Sequence, residues 1–284
     1  MSRLFVALQY LLPHHLLCRL MHAVSRSEIG WFKNLLIRAF VRGYRPDMHG
    51  ALEPDPFKYP SFNAFFTRAL RADARPADPD PLHIVSPCDA ALECASSAQA
   101  DQLLQAKGRT YSLEALLAAQ GTWAARLRDG LYATLYLAPR DYHRVHMPLS
   151  GRLVGAWHVP GRLFAVSGAV VAHLPDLFAR NERLVFAFEG EHGAFVVVMV
   201  GALFVGSMST IWHGTVTPSR TRAGVRQLQP CLAAPLRQPR GAELGTFNMG
   251  STVILLLPPG IARWHDVQRG TRLRVGQSLG ALLR

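Results

Sequence analysis

Apolar side chains recur at helical spacing along the first 45 positions: Leu4, Phe5, Leu8, Leu11 and Leu12, then Leu16, Leu17, Leu20, Met21 and Val24, then Trp31, Phe32, Leu35, Leu36, Ile37 and Phe40. The pattern predicts two or three short amphipathic helices over 1–45, with Pro13 breaking the first and Ser27 before Glu28 able to start another. Residues 46–83 lose this periodicity and gain Pro46, Pro54, Pro56, Pro60, Pro76, Pro79 and Pro81, the texture of a linker, interrupted by one short helix at Phe62-Asn63-Ala64-Phe65-Phe66. From residue 84 to 284 the texture is strand-like. Short apolar or β-branched runs at 131–137, 152–159, 184–188, 194–205, 253–257 and 273–275 are bounded by Gly or Pro, and 190–193 reads as a hairpin turn. Only 112–119 and 174–179 read as helix there. The chain is therefore expected to be α+β: a mainly antiparallel β domain over 84–284, preceded by short amphipathic helices.

A chain of 284 residues with 49% hydrophobic and 18% charged residues buries a sizeable core and is folded. Its net charge of +12 calls for an anionic partner without choosing among nucleic acid, acidic lipid and small phosphorylated molecules. The distribution narrows the choice: Arg3, Arg19, Arg26, Lys33, Arg38, Arg42 and Arg45 face Glu28 alone within the amphipathic segment. Helices of that kind lie in a membrane interface, apolar face down and arginines near phosphate; packing against the protein's own core is the competing use. Pro13, His14 and His15 inside the would-be apolar core argue against a signal peptide despite Arg3 and Ala23-Val24-Ser25. No apolar run is long enough to span a bilayer. Cys18, Cys88, Cys94 and Cys231 form neither a CxxC pair nor a Cys-His ligand spacing, so no structural metal is expected, and they read as reduced thiols facing the cytosol.

Three segments carry candidate chemistry. Gly250-Ser251 stands directly before the apolar run Val253-Ile254-Leu255-Leu256-Leu257, where a hydroxyl can approach the preceding carbonyl unobstructed. Such a pair is ordinarily a loop entering a strand; it can also be a self-cleavage point. In Tyr142-His143-Arg144-Val145-His146-Met147-Pro148, two histidines three apart on a loop can point into one cleft and move protons near neutral pH. In Ser86-Pro87-Cys88-Asp89, an acid follows a proline turn, where it is either a turn residue or the partner that fixes a histidine tautomer.

Together with Ser61-Phe62-Asn63-Ala64-Phe65-Phe66-Thr67-Arg68, Gln105-Ala106-Lys107-Gly108, Tyr111-Ser112-Leu113-Glu114 and Leu177-Phe178-Ala179-Arg180-Asn181-Glu182-Arg183, these segments resemble the phosphatidylserine decarboxylase family in order and number. Met249 stands where that family commonly has Leu, and Cys88 and Ala90 flank the acid where Ala and Gly are usual. The resemblance implies a proenzyme that cuts itself between Gly250 and Ser251 into residues 1–250 and 251–284. His146, oriented by Asp89, would deprotonate Ser251; the peptide becomes an ester, β-elimination leaves dehydroalanine, and hydrolysis releases ammonia and leaves a pyruvoyl group. That ketone would serve as the covalent cofactor for decarboxylating phosphatidylserine to phosphatidylethanolamine, with His143 reprotonating the carbon. The resemblance also implies a peripheral enzyme on the cytoplasmic side of the cell membrane, working on phosphatidylserine in anionic bilayers, and allows a homodimer; the two subunits are expected to stay together because Val253 to Leu257 reads as a buried strand. Two rivals stay open: a serine hydrolase built on Ser251, His146 and Asp89, which would lack the G-x-S-x-G elbow, and a non-catalytic basic module. Nucleic acid is not expected as a partner, because the N-terminal charge is mixed with long apolar side chains.

Overall fold

In the computed structural model, the described residues are 2–106, 108–118, 121–204, 207–217, 224–228, 236–249 and 252–283. Gly250 and Ser251, the expected cleavage pair, lie outside them, as do Lys107 and Cys231.

Pro13 interrupts the N-terminal periodicity as expected. It separates α1 (Ser2–Leu11) from α2 (His14–Ser25), and α3 (Gly30–Tyr44) ends on Arg45 in the left-handed region. None of the helices among the described residues is long and apolar enough to cross a membrane. The Pro-rich stretch is packed rather than free. Ser61 caps α4 (Phe62–Phe66) by accepting the Ala64 N–H, and Phe62, Phe65 and Phe66 join Ile37 of α3 in a small second core, with the Phe40 ring edge-on to all three.

The β-rich part is α+β and antiparallel in all its paired strands among the described residues. Its strands are β1 (Ala90–Ser97), β2 (Leu131–Tyr136), β3 (Arg144–His146), β4 (Gly151–Val159), β5 (Arg183–Gly190), β6 (Gly193–Val200), β7 (Met208–Thr210), β8 (Glu243–Phe247) and β9 (Thr252–Leu257). The large sheet runs β4-β5-β6-β9-β2-β1, extended by Arg272–Leu273 beside β1 and by short pieces beside β4. A smaller sheet joins β7, β8 and β3, and a third pairs His83–Val85 and Ala262–Trp264 with Ser278–Leu282. The continuous apolar run of β9 fits its place: all six residues are buried between β6 and β2. The β5–β6 turn closes on Gly190 and Gly193, the latter at φ 129, which a side chain resists.

Three expectations need correction. The run 194–205 stops as a strand at Val200, because Gly201 turns aside to bond Glu182 through its N–H and Asn181 through its carbonyl. The run 273–275 is a strand only over Arg272–Leu273, since the Val275 N–H is diverted to the Asp89 carboxylate. The histidine segment is no simple loop: Arg144–His146 pairs with β8.

For function the decisive feature is a change of sheet. The chain leaves the small sheet at Phe247 and enters the centre of the large one at Thr252, with four residues between them.

Candidate functional site

Both ends of the 248–252 crossing are anchored. Asn248 is buried: its N–H donates to the Ser207 carbonyl at 3.0 Å, and its amide donates to Ser207 Oγ at 2.9 Å and Ser209 Oγ at 3.1 Å. Asn63 of α4 reaches its Oδ1 at 3.3 Å, and Met249 packs against both hydrophobic cores. On the other side Thr252 is buried and locked between Tyr136 and Val200.

His143 lies beside this crossing, since the Phe247 N–H donates to its carbonyl at 2.9 Å. Its ring is fully buried, lies 4.1 Å from Phe66, and donates from Nδ1 to the Asp141 carbonyl at 2.8 Å. A carbonyl only accepts, so this bond fixes the tautomer and leaves Nε2 as a bare lone pair; no partner reaches Nε2 among the described residues. Burial, helped by the Arg68 guanidinium, lowers the pKa to about 3, so the ring is neutral. Arg68 is itself buried, with Nε and Nη1 unpartnered among the described residues.

His146 sits further from the crossing, opposite Glu243 at the start of β8. It donates from Nδ1 to the Gly241 carbonyl at 2.8 Å, and its Nε2 accepts from the Tyr142 hydroxyl at 3.2 Å. Burial lowers its pKa below the usual histidine value, and raises that of Tyr142, which keeps the phenol a donor.

Asp89 is placed near the histidine segment but does not hydrogen-bond either ring. Its carboxylate takes a forked bond from Arg75, with Nε at 3.0 and 3.2 Å and Nη2 at 2.6 Å, and a further one from the Val275 N–H at 2.9 Å. The expected Asp89–His146 pairing is thus replaced by Arg75 on one side and Gly241 on the other. The turn carrying the acid still reaches His146 through backbone, the His146 N–H donating to the Pro87 carbonyl at 2.7 Å. Cys88 is buried, and burial pushes its thiol up, which makes it an inert packing residue.

Sequence reasoning missed Arg68, Arg75, Tyr142 and Asn248 as members of this site. Arg68 and Tyr142 stand inside the segments that carried the resemblance, but only the fold shows their contacts. Asn181 and Arg183, from the same resemblance, are structural: Asn181 bonds the Phe164 and Gly201 carbonyls, and Arg183 donates to those of Ala115, Leu116, Ala179 and Asn181. No metal-binding cluster occurs among the described residues.

Comparison with known proteins bears on the whole chain. A family model described as phosphatidylserine decarboxylase matches residues 62–281, and a second, described as PSD, matches residues 4–45. The chain is 47% identical over 280 residues to the phosphatidylserine decarboxylase proenzyme of Azotobacter vinelandii, with 98% of each chain covered. It is 46% identical to that of Ectopseudomonas mendocina, again with 98% of each covered, and 45% identical to that of Methylococcus capsulatus, with 98% of this chain and 96% of the relative covered.

Proposed function

Because the chain belongs to the phosphatidylserine decarboxylase family, and so to the carboxy-lyases, we propose that it is a self-processing proenzyme that cuts between Gly250 and Ser251 and then converts phosphatidylserine to phosphatidylethanolamine and carbon dioxide. The observation that carries this reading is the crossing itself. The described residues on either side of the expected cleavage pair are both held, Asn248 by Ser207 and Ser209 and Thr252 between Tyr136 and Val200, and His143, buried with an open acceptor nitrogen, bonds Phe247 on the strand that leads in.

In the cleavage step His146 takes the Ser251 proton, the hydroxyl oxygen attacks the Gly250 carbonyl, and the peptide becomes an ester. The His146 Nε2 has the lone pair for this task, provided it releases the Tyr142 hydroxyl. Asp89 acts as a positioning residue: clamped by Arg75, it steadies the turn whose Pro87 carbonyl holds the His146 backbone.

The pyruvoyl group formed from Ser251 would supply an electrophilic carbonyl able to take up the electrons left by departing carbon dioxide. The chemistry of the surroundings fits it, since Asn248 and Met249 fix the backbone on one side and the neutral His143 ring offers an unspent nitrogen. His143 is assigned the proton delivered to the substrate carbon. It must first acquire that proton, and an anionic lipid headgroup entering the site favours the charged ring that burial alone forbids.

A two-chain lipid leaves the bilayer only at about 0.8 kcal/mol per CH₂, so the enzyme goes to it. Leu8, Leu11, Leu16, Leu20, Trp31 and Leu35 are exposed on α1–α3 and suit a peripheral site on the cytoplasmic face of an anionic membrane.

Mass analysis under denaturing conditions tests the maturation: two pieces split at Gly250/Ser251, the smaller with a blocked, borohydride-reducible N-terminus. Ser251→Ala should abolish both cleavage and turnover. An uncut chain with full activity overturns the proposal, and uncut Ser251 with esterase activity turns it into a serine hydrolase.

A further inference from the structure

A helix that faces the crossing ends in a charge that no carboxylate answers among the described residues. From α2 and its cap, His22, Ser25 and Arg26 line a narrow cavity whose other wall includes Ser207, Asn248 and Met249, the last two being the residues just before the expected cleavage pair. Arg26 is half-buried there, yet its contacts are two at the outer limit of hydrogen bonding, Nη2 to Ser207 Oγ and Nη1 to the His22 carbonyl, each at 3.5 Å. No carboxylate pairs with it among the described residues, whereas Arg75, Arg144 and Arg272 around the same site are committed to Asp89, Glu243 and Asp141. Burial alone depresses its pKa, the mark of a cation that has lost water without gaining an anion. Burial and then Arg26 lower the pKa of His22, beside it, which favours a neutral ring N–H over a second charge.

We propose that Arg26, with His22 beside it, grips the phosphodiester of the lipid substrate at the mouth of the decarboxylation site. This rests on the decarboxylase reading and adds how the headgroup is held. In phosphatidylserine the phosphate lies a few bonds from the carbon that loses carbon dioxide, and a guanidinium fork matches its oxygens. The opposite face of α2 exposes Leu16 and Leu20, at 64% and 60%. One helix thereby orders the substrate: phosphate at Arg26, serine toward Asn248 and Met249 on the other wall, acyl chains toward the exposed leucines. Free serine, lacking the phosphate, is excluded as a good substrate.

The test uses the full-length chain and a short-chain phosphatidylserine kept monomeric, so that no vesicle surface contributes. Wild type is first checked for two subunits and turnover; failure there overturns the decarboxylase reading and, with it, the substrate this grip is meant to hold. Given an active wild type, Arg26→Gln should self-cleave normally, raise KM at least about tenfold and leave kcat within about twofold, with Arg26→Lys intermediate. If Arg26→Gln does not mature, Arg26→Lys carries the comparison. Wild type should also be inhibited competitively by glycerophosphoglycerol, a phosphodiester without amine or acyl chains, and the lysine variant less so. An unchanged KM in both variants overturns the proposal, as does a loss confined to binding of phosphatidylglycerol vesicles, which would assign Arg26 to general membrane attraction.

Discussion

Asp89 shows how a residue can be found by sequence and still have its partner misjudged. An acid after Ser86-Pro87 invites pairing with a histidine, but Arg75, from a stretch that looks like linker, reaches it first with a fork that an imidazole cannot match. The pair is largely buried, so removing one member strands the other. Asp89→Asn and Arg75→Met should each cost about 3 kcal/mol or more of stability, with the double variant costing less than the sum, as measured by denaturant melts in a double-mutant cycle. Additive losses would show that the two groups act separately. At the histidines, His143→Ala should mature normally and lose decarboxylation, whereas His146→Ala should fail to mature. Tyr142→Phe frees His146 Nε2 from the side-chain partner it has among the described residues and should speed self-cleavage in a pulse-chase measurement; slower cleavage would make the phenol a required donor instead.

Among the elements, those with one uniform apolar run were readable and those with mixed composition were not. Val253-Ile254-Leu255-Leu256-Leu257 can be satisfied only at the centre of a sheet, and it is there. Strand β1, by contrast, reads Ala-Ala-Leu-Glu-Cys-Ala-Ser-Ser, too small and polar to announce itself, and β8 contains Gly245, whose missing Cβ lets the Ser209 carbonyl approach to 2.5 Å of that position. The amphipathic helices were readable in period but not in allegiance, because they serve both uses: Cys18 and Ile37 are buried against the protein while Leu11, Leu16, Leu20 and Trp31 face outward. Deleting residues 1–45 would therefore remove Ile37 and Phe40 from the α4 core together with any anchor. Leu16→Asp combined with Leu20→Asp isolates the outward face. Binding to phosphatidylglycerol vesicles should fall at least about tenfold with self-cleavage and melting temperature unchanged, and intact vesicle binding would sink the membrane role of α2.

For the whole molecule, the topology decides what self-cleavage does to stability. Residues after the crossing supply β9 to the centre of the large sheet, Arg272–Leu273 to its edge beside β1, and Ser278–Leu282 to His83–Val85. Burying the five apolar residues of β9 alone contributes about 10 kcal/mol, so the two pieces should co-elute on gel filtration and part only on global unfolding. Acid is what weakens this assembly. His143 has a folded pKa of about 3 against 6.5 unfolded, and His146 is shifted the same way, so the unfolded chain binds more protons throughout that window. For His143 the stability is present above pH 6.5 and falls as pH drops toward 3, by up to about 1.4 kcal/mol per pH unit, and His146 adds to the loss in the same direction. The melting temperature of the mature protein should decline from pH 6.5 downward, and His143→Phe, which removes the largest shift, should flatten that decline. An equally steep acid limb in the variant would move the cause away from His143.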